Sequence, residues 1–296
     1  MEWQQIVGFY QVVRLGSFTK AADVTFRTQS ALSQQVKSLE QELGCRLLER
    51  IGRKKLRLTL AGEQFNQFAQ TIIEKHDYLM GEINRINRNQ TGRLRIAAPF
   101  NTLYYLLPKY IAKYEERFPD VELTIVDRPP VGVVEMVRSG EVDFGLTMES
   151  AIPKDLVIEP WKKGDYILMT PREHPLLKEK QVTLEQIAQY PLILPPRYVK
   201  SSVRLKLLRM FEKQGIRYRV SMESSYAYLS VRYIAMGLGI SFFLAPKELK
   251  ARKPKKLKII PLKHYFKSEY ISLTMRKDKL LTSGGRAFRD MIFDKL

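Results

Sequence analysis

Gln29, Ser30, Ser33, Gln34 and Lys37 fall on one side of the segment RTQSALSQQVKSLEQELG, residues 27–44. Amides, hydroxyls and a single ammonium are donors and acceptors, so their chemistry is recognition by hydrogen bonding. The other side repeats Leu32, Val36, Leu39 and Leu43 at steps of four, three and four, the period of one buried helical stripe. Solvated helix faces are usually richer in Glu, Lys and Arg. Taken alone, this polar face is either a plain surface or one built to meet a polar partner.

Bond-making chemistry has little support. His76, His174 and His264 are scattered without metal-ligand spacing. A Ser-His-Asp signature and a phosphate loop are both missing. The GLG at 237–239 lacks the order strand, G-x-G-x-x-G, helix that a dinucleotide site needs. Cys45 is the single cysteine; it excludes an intramolecular disulfide, fits a reducing compartment, and is expected as a small core residue. The expectation is a protein that is not an enzyme and holds neither metal nor cofactor.

The elements that position the polar face can be read outward from it. EWQQIVGFYQVVRLG reads as a helix ending at Gly16, and TKAADVTF as a second, capped by Ser17 or Thr19. Thr28 sits at the N-cap of the third helix, which stops at Gly44. Two helices about four residues apart, the second with a polar outer face, make a helix-turn-helix. Leu56 and Leu58 alternate around Arg57 after a Gly52-Arg53 turn, the pattern of a small hairpin, or wing. A long helix then carries Phe65, Ala69, Ile72, His76, Leu79, Ile83 and Ile86 on one stripe. No earlier element is read as covering that stripe, so a second copy of the chain is its expected partner. NRNQTGRL, polar and containing Gly92, marks the domain joint.

Beyond it strands and helices alternate, βαβαβ twice, implying two doubly wound α/β lobes with a cleft between them. YISLTM and the last helix are expected to cross back to the first lobe. The boundaries are 1–60 for the winged helix-turn-helix, 61–90 for the linker helix and 91–296 for the lobes, split as 91–165 plus 266–296 and 166–265. The fold class is α/β with an N-terminal all-α winged helix-turn-helix.

The net charge of +19 on 296 residues makes a polyanion the first partner to consider. The excess is uneven: +4 over residues 1–92, −2 over 93–165 and +17 over 166–296. Its densest part, KELKARKPKKLKIIPLKHYFK, reads as a solvated loop and edge strand, as a contact for wrapped DNA, or as a source of potential that draws in an anion. No stretch approaches the ~20 apolar residues of a membrane helix, and MEWQQIVGFYQVV lacks an export signal, so a cytoplasmic protein is expected.

Residues 17–62 resemble the N-terminal domain of the LysR-type transcriptional regulators: the Ala-Ala of the second helix, TQSALSQQVKSLE, ELG, LLERIGR and LTLAG follow in order at the family's spacing. SGEVDFGL and AMGLGISFF extend the likeness across the C-terminal half, where the family carries two periplasmic-binding-protein-like lobes. Leu48 stands where an aromatic is commoner and Gln34 where Arg is frequent, so a target sequence cannot be borrowed from relatives. The resemblance implies double-stranded DNA as partner, read by two recognition helices of a homodimer or homotetramer. Thr28, Gln29, Ser30, Ser33, Gln34 and Lys37 would enter the major groove, with Arg50, Arg53 and Lys54 on the wing at phosphates or the minor groove. It also implies a small-molecule effector between the lobes. By position, Asn101 and Thr102 would face Ser201 and Ser202, with Thr147 at a strand end and Arg128, Arg197, Tyr198 and Tyr226 nearby. N–H groups at helix starts favour an anionic effector.

Two other classes stay open. An architectural DNA-binding protein without effector would fill its cleft with large apolar side chains. An enzyme on the lobes would need a nucleophile–base pair or a metal cluster.

Overall fold

The computed structural model describes residues 1–51, 55–86, 91–197 and 202–295, which divide into two compact units, Met1–Asn89 and Gln90–Leu296. The first unit comprises α1 (Trp3–Leu15), α2 (Phe18–Val24), α3 (Gln29–Leu43), β1 (Leu48–Ile51), β2 (Lys55–Leu58) and α4 (Leu60–Ile86). Its caps follow the sequence. The Ser17 hydroxyl accepts from the Lys20 N–H, Thr28 accepts from the Ala31 N–H at 3.2 Å, and Gly44 closes α3 in the left-handed region at φ 66°. Leu32, Val36 and Leu39 are buried, which leaves the opposite face of α3 to solvent.

Glu40, near the end of α3, accepts the backbone N–H groups of Leu47 and Leu48 at 2.7 and 3.0 Å. It thereby ties the start of the antiparallel β1–β2 hairpin to the helix. The hairpin pairs Leu48 with Leu58 and Ile51 with Lys55.

Two expectations are corrected here. The first half of the α4 stripe is covered by its own chain: Phe65 and Ala69 pack with Ile6, Phe9 and Tyr10 of α1, and His76 lies against Trp3 with ring centroids 4.4 Å apart. His76 keeps its outer side exposed, and Leu79 and Ile83 beyond it are exposed as well. Cys45 is exposed rather than packed in the core, because it follows the left-handed turn at Gly44 that carries the chain away from α3.

In the second unit, β3 (Gly92–Ala98), α5 (Phe100–Tyr105), α6 (Pro108–Arg117), β4 (Val121–Asp127), α7 (Pro130–Arg138) and β5 (Phe144–Met148) build the first lobe. A sixteen-residue strand, β6 (Leu156–Pro171), leads into α8 (Leu184–Ala188), β7 (Leu192–Leu194), α9 (Ser202–Lys213), β8 (Val220–Glu223), α10 (Ala227–Ala235), β9 (Ser241–Pro246), α11 (Lys247–Ala251) and β10 (Leu257–Pro261). The chain returns through β11 (Glu269–Arg276) and α12 (Ser283–Ile292).

β3 pairs in parallel with β4 and β5. β11 runs antiparallel between β5 and the first half of β6, whose second half pairs antiparallel with β9 and β10. β7 and β8 are parallel and join β9 through a Leu192–Ile240 bridge. The sheets are therefore mixed rather than purely parallel, since both lobes share β6 and the return strand meets it head-on. α12 packs back on the first lobe, Phe288 against Tyr114 and Phe144.

Polar groups gather where the chain passes between lobes. Lys250 and the Ser268 hydroxyl both reach Asp165, at 2.6 and 2.7 Å. Lys206 donates to Glu269 and to the Tyr166 hydroxyl at 2.7 and 2.6 Å, and the Ser150 N–H donates to the other Glu269 oxygen. Burial alone would raise the Glu269 pKa; the bonds from Lys206, Ser150 and Tyr166 outweigh it and hold the carboxyl below its usual range.

Candidate functional site

The α3 face is open along its length. Thr28, Gln29, Ser30, Gln34 and Lys37 are exposed and Ser33 is half-buried at the flank of the stripe. The Thr28 and Ser30 hydroxyls share a hydrogen bond of 3.1 Å, so the first turn presents a fixed pair of oxygens. Gln29 and Gln34 lie five positions apart on the same broad face, with Lys37 one turn beyond Gln34. Arg50 belongs to β1, while Arg53 and Lys54 fall outside the described residues.

The second candidate set converges on a cavity of about 380 Å³ in the C-terminal unit. Asn101 and Thr102 begin α5 directly after β3, Arg128 follows β4, and Thr147 lies near the end of β5. All four thus gather at the carboxyl ends of three parallel strands, where open α/β sheets bind ligands. Tyr226 comes from the other lobe, at the N-cap of α10, and its ring meets Phe100 edge-on at 5.1 Å. Tyr104 and Tyr228 continue this inter-lobe aromatic contact at 6.1 Å. Ser202 opens α9, Ser201 and Tyr198 lie outside the described residues, and Arg197 is exposed and does not line the cavity.

Thr102 and Thr147 are almost wholly buried, at 5% and 1% exposure. Among the described residues, the Thr147 hydroxyl and the Asn101 side-chain oxygen have no hydrogen-bond partner, and neither has the hydroxyl of Ser272, which pairs with Thr147 across β5–β11. Buried polar atoms are normally bonded, so unpaired ones beside a cavity favour a polar occupant. Among the described lining residues only Asp127 and Arg128 carry formal charge, and Arg128 donates to the Asp127 carbonyl at 2.8 Å. Pro129 and Pro130 strip two N–H donors from the start of α7, which leaves the first turns of α5 and α10 as the richer backbone donors. Burial, with Tyr104 and Tyr228 as neighbours, pushes the Tyr105 hydroxyl up, so it lines the cavity as a neutral group.

Sequence reasoning misses Ser224, Ser241, Phe242 and Phe243 of the lining. The Ser224-Ser225 pair is the one local sign of a helix start there, although the N-cap of α10 is Tyr226, whose side chain makes no capping bond. β9 residues reach the cavity only because β9 pairs with β6, which no local pattern states.

The basic run occupies α11, the following loop and β10, the end strand of its sheet. Lys258 is exposed there, and lysines on an edge strand resist pairing with another chain. Among the described residues no helix is long and apolar enough to cross a membrane, and no group of His, Cys, Asp and Glu could hold a metal.

Two family models match the chain: the LysR substrate binding domain over residues 87–296, and the bacterial regulatory helix-turn-helix protein, lysR family, over 3–63. The HTH-type transcriptional regulator CysB of Burkholderia cenocepacia is 29% identical over 268 residues, covering 90% of this chain and 85% of that protein. A full-length OxyR variant from Pseudomonas aeruginosa has a similar fold, with a TM-score of 0.72 at 21% identity, covering 100% of this chain and 94% of that one. Full-length CbnR complexed with its target DNA aligns with a TM-score of 0.60 at 22% identity over 100% of both chains. The matched regulators are not enzymes, and the chain belongs to the LysR family of DNA-binding transcriptional regulators, with a substrate-binding domain for an effector.

Proposed function

We propose that this regulator binds DNA sequence-specifically through α3, acts as a homodimer or homotetramer in the cytoplasm, and is modulated by a small anionic effector in the inter-lobe cavity. In this reading Thr28, Gln29, Ser30, Ser33, Gln34 and Lys37 contact the major groove, and Arg50, Arg53 and Lys54 contact phosphates or the minor groove. The likeness of fold to CbnR, solved with its target DNA, supports the groove assignment. The exposed part of the α4 stripe supports a second copy as partner.

The observation that carries the effector reading is the cavity itself, bordered by the unbonded Thr147 hydroxyl and Asn101 oxygen. A cleft plugged by large apolar side chains would have favoured an architectural protein without effector. An anion would take bonds from Thr102, Thr147, Ser201, Ser202 and the Arg128 guanidinium, with the first-turn N–H groups of α10 beside Tyr226. Its preference for one lobe arrangement would shift the oligomer between DNA-bound geometries.

Thermal unfolding of the full chain against small carboxylates, amino acids, nucleotides and inorganic oxyanions tests this. A specific ligand at 100 times its Kd should stabilise the C-terminal unit by about 2.7 kcal/mol, and Thr147→Val should abolish that shift. A saturable shift that persists unchanged in Thr147→Val places the ligand elsewhere. For DNA, Gln29→Ala should lower discrimination at one base pair by about 2 kcal/mol, whereas Arg53→Ala should weaken all sequences alike. Quantitative footprinting with the reverse pattern refutes the groove assignment.

A further inference from the structure

Phe26 stands between α2 and α3 in a conformation that suits glycine or asparagine. Its φ is 53°, and among the described residues only Asp294 is another non-glycine with positive φ. The local bonding demands this geometry. The Arg27 N–H donates to the Ala22 carbonyl at 3.0 Å and the Phe26 N–H to the Asp23 carbonyl at 3.3 Å, the paired bonds that close a helix through a left-handed residue. A Cβ at such a position crowds the following carbonyl, which is why small or amide residues are favoured there.

The phenyl ring gains almost no burial against the described residues in return. Phe26 is 96% exposed, more than any other large apolar side chain among the described residues. Its neighbour Arg27 is turned instead toward Gln4 of α1, with a bond of 2.6 Å. A residue that suits neither its backbone nor its solvent is favoured by something outside the fold.

What lies outside is fixed by position. Phe26 comes two residues before Thr28, the N-cap of α3, at the same end of the helix as Gln29 and Ser30. We infer that Phe26 is a DNA-contacting, specificity-determining residue whose ring packs on a thymine 5-methyl group at the margin of the sequence read by α3. This is the apolar mark that separates A·T from other pairs in the major groove; at this end of α3 only the small methyls of Thr28 and Ala31 are exposed for it, and Phe26 offers a far larger apolar surface there. The inference rests on the groove reading of α3.

The test uses the full chain and the duplex that it enriches from a random-sequence pool. Phe26→Asn fits the left-handed position, so its Tm should hold or rise, which separates a lost contact from a lost fold. Its affinity for the enriched duplex should fall about tenfold, of the order of one base contact. Replacing single thymines by uracil, which removes only the methyl, should weaken the wild type at one position near the edge of each half-site and leave Phe26→Asn indifferent there. Equal affinity of the two proteins overturns the inference, as does a uracil scan that affects both alike. Failure of the wild type to enrich any sequence would instead overturn the groove reading.

Discussion

Replacing Asp143 by alanine is expected to destabilise the C-terminal unit by about 3–5 kcal/mol, the loss typical when one partner leaves a buried ion pair. The carboxylate lies at the start of β5, on the side of the first lobe away from the cavity. Its Oδ1 meets Lys279 at 2.7 Å and Arg95 at 3.5 Å, while Oδ2 accepts the Arg95 backbone N–H at 2.8 Å. The Asp143 N–H in turn donates to the Arg95 carbonyl, so one residue ties β3, β5 and the turn after β11 together. The side chains of Asp143, Lys279 and Arg95 are 13%, 11% and 16% exposed, which leaves two poorly hydrated cations when the carboxylate is removed.

Burial alone would raise the Asp143 pKa, but the charges of Lys279 and Arg95 and the hydrogen bonds from both hold it below the ordinary value. A folded pKa below the unfolded one gives stability that is complete above about pH 4–5 and is lost as pH falls through the folded pKa. The gap between wild type and Asp143→Ala should therefore be full near neutrality and close in acid. Denaturant unfolding at a series of pH values measures it, and a gap that does not change with pH would show that the carboxylate's charge is not what stabilises. Asp143→Ala with Lys279→Met should recover part of the loss, since it removes one stranded cation.

Gly62→Ala is expected to cost the N-terminal unit about 3 kcal/mol or more, through overpacking against a group that cannot move aside. A Cβ on Gly62 would lie 2.0 Å from the Leu47 carbonyl oxygen. That oxygen already accepts the Thr59 N–H at 3.0 Å, and the Thr59 hydroxyl donates to the Arg46 carbonyl while accepting from the Gly62 N–H. The first turn of α4 is thus bolted to the strand leading into the wing. The added methyl can be housed only by separating them, which also pulls the wing from its anchor on Glu40 of α3. Thermal unfolding should show a large drop in Tm for the N-terminal transition, with DNA binding lost at temperatures the wild type tolerates. An unchanged Tm would refute the close approach at Leu47.

How much was legible in the sequence depended on whether the deciding physics was local. The helices of the DNA-binding unit were, because a hydroxyl at Thr28, a glycine at 44 and the Leu32–Val36–Leu39 spacing act within a few residues. The first half of β6 was not. Its Pro160 and Trp161-Lys162-Lys163 show no alternation, and they become strand only because β11 supplies a partner, with a register irregularity opposite Pro160. The α4 stripe was misjudged at one end, since α1 has a second apolar side that no one-dimensional reading assigns to a distant helix. Thr102, Thr147 and Arg128 line the cavity, and they could be named in the sequence because the family resemblance pointed to the cleft and the strand–helix pattern gave the strand ends, whereas Ser241 and Phe242 required knowing which strand lies beside which. Phe26 was visible in the sequence but silent, for its meaning lies in a torsion angle.

The sharing of β6 by both lobes has a mechanical consequence. Its sixteen residues run without a break from the ladder with β11 to the ladders with β9 and β10, and the return chain passes beside it, tied across by Asp165 and Ser268. Two adjacent ribbons held by hydrogen bonds resist opening like a book, but they yield to torsion, the deformation that sheets already carry as twist. In the proposed reading, an occupant of the cavity would therefore act as a torque on a short bar. Its effect would then be set by the bar's stiffness at Gly164–Asp165 as much as by how tightly the occupant is held.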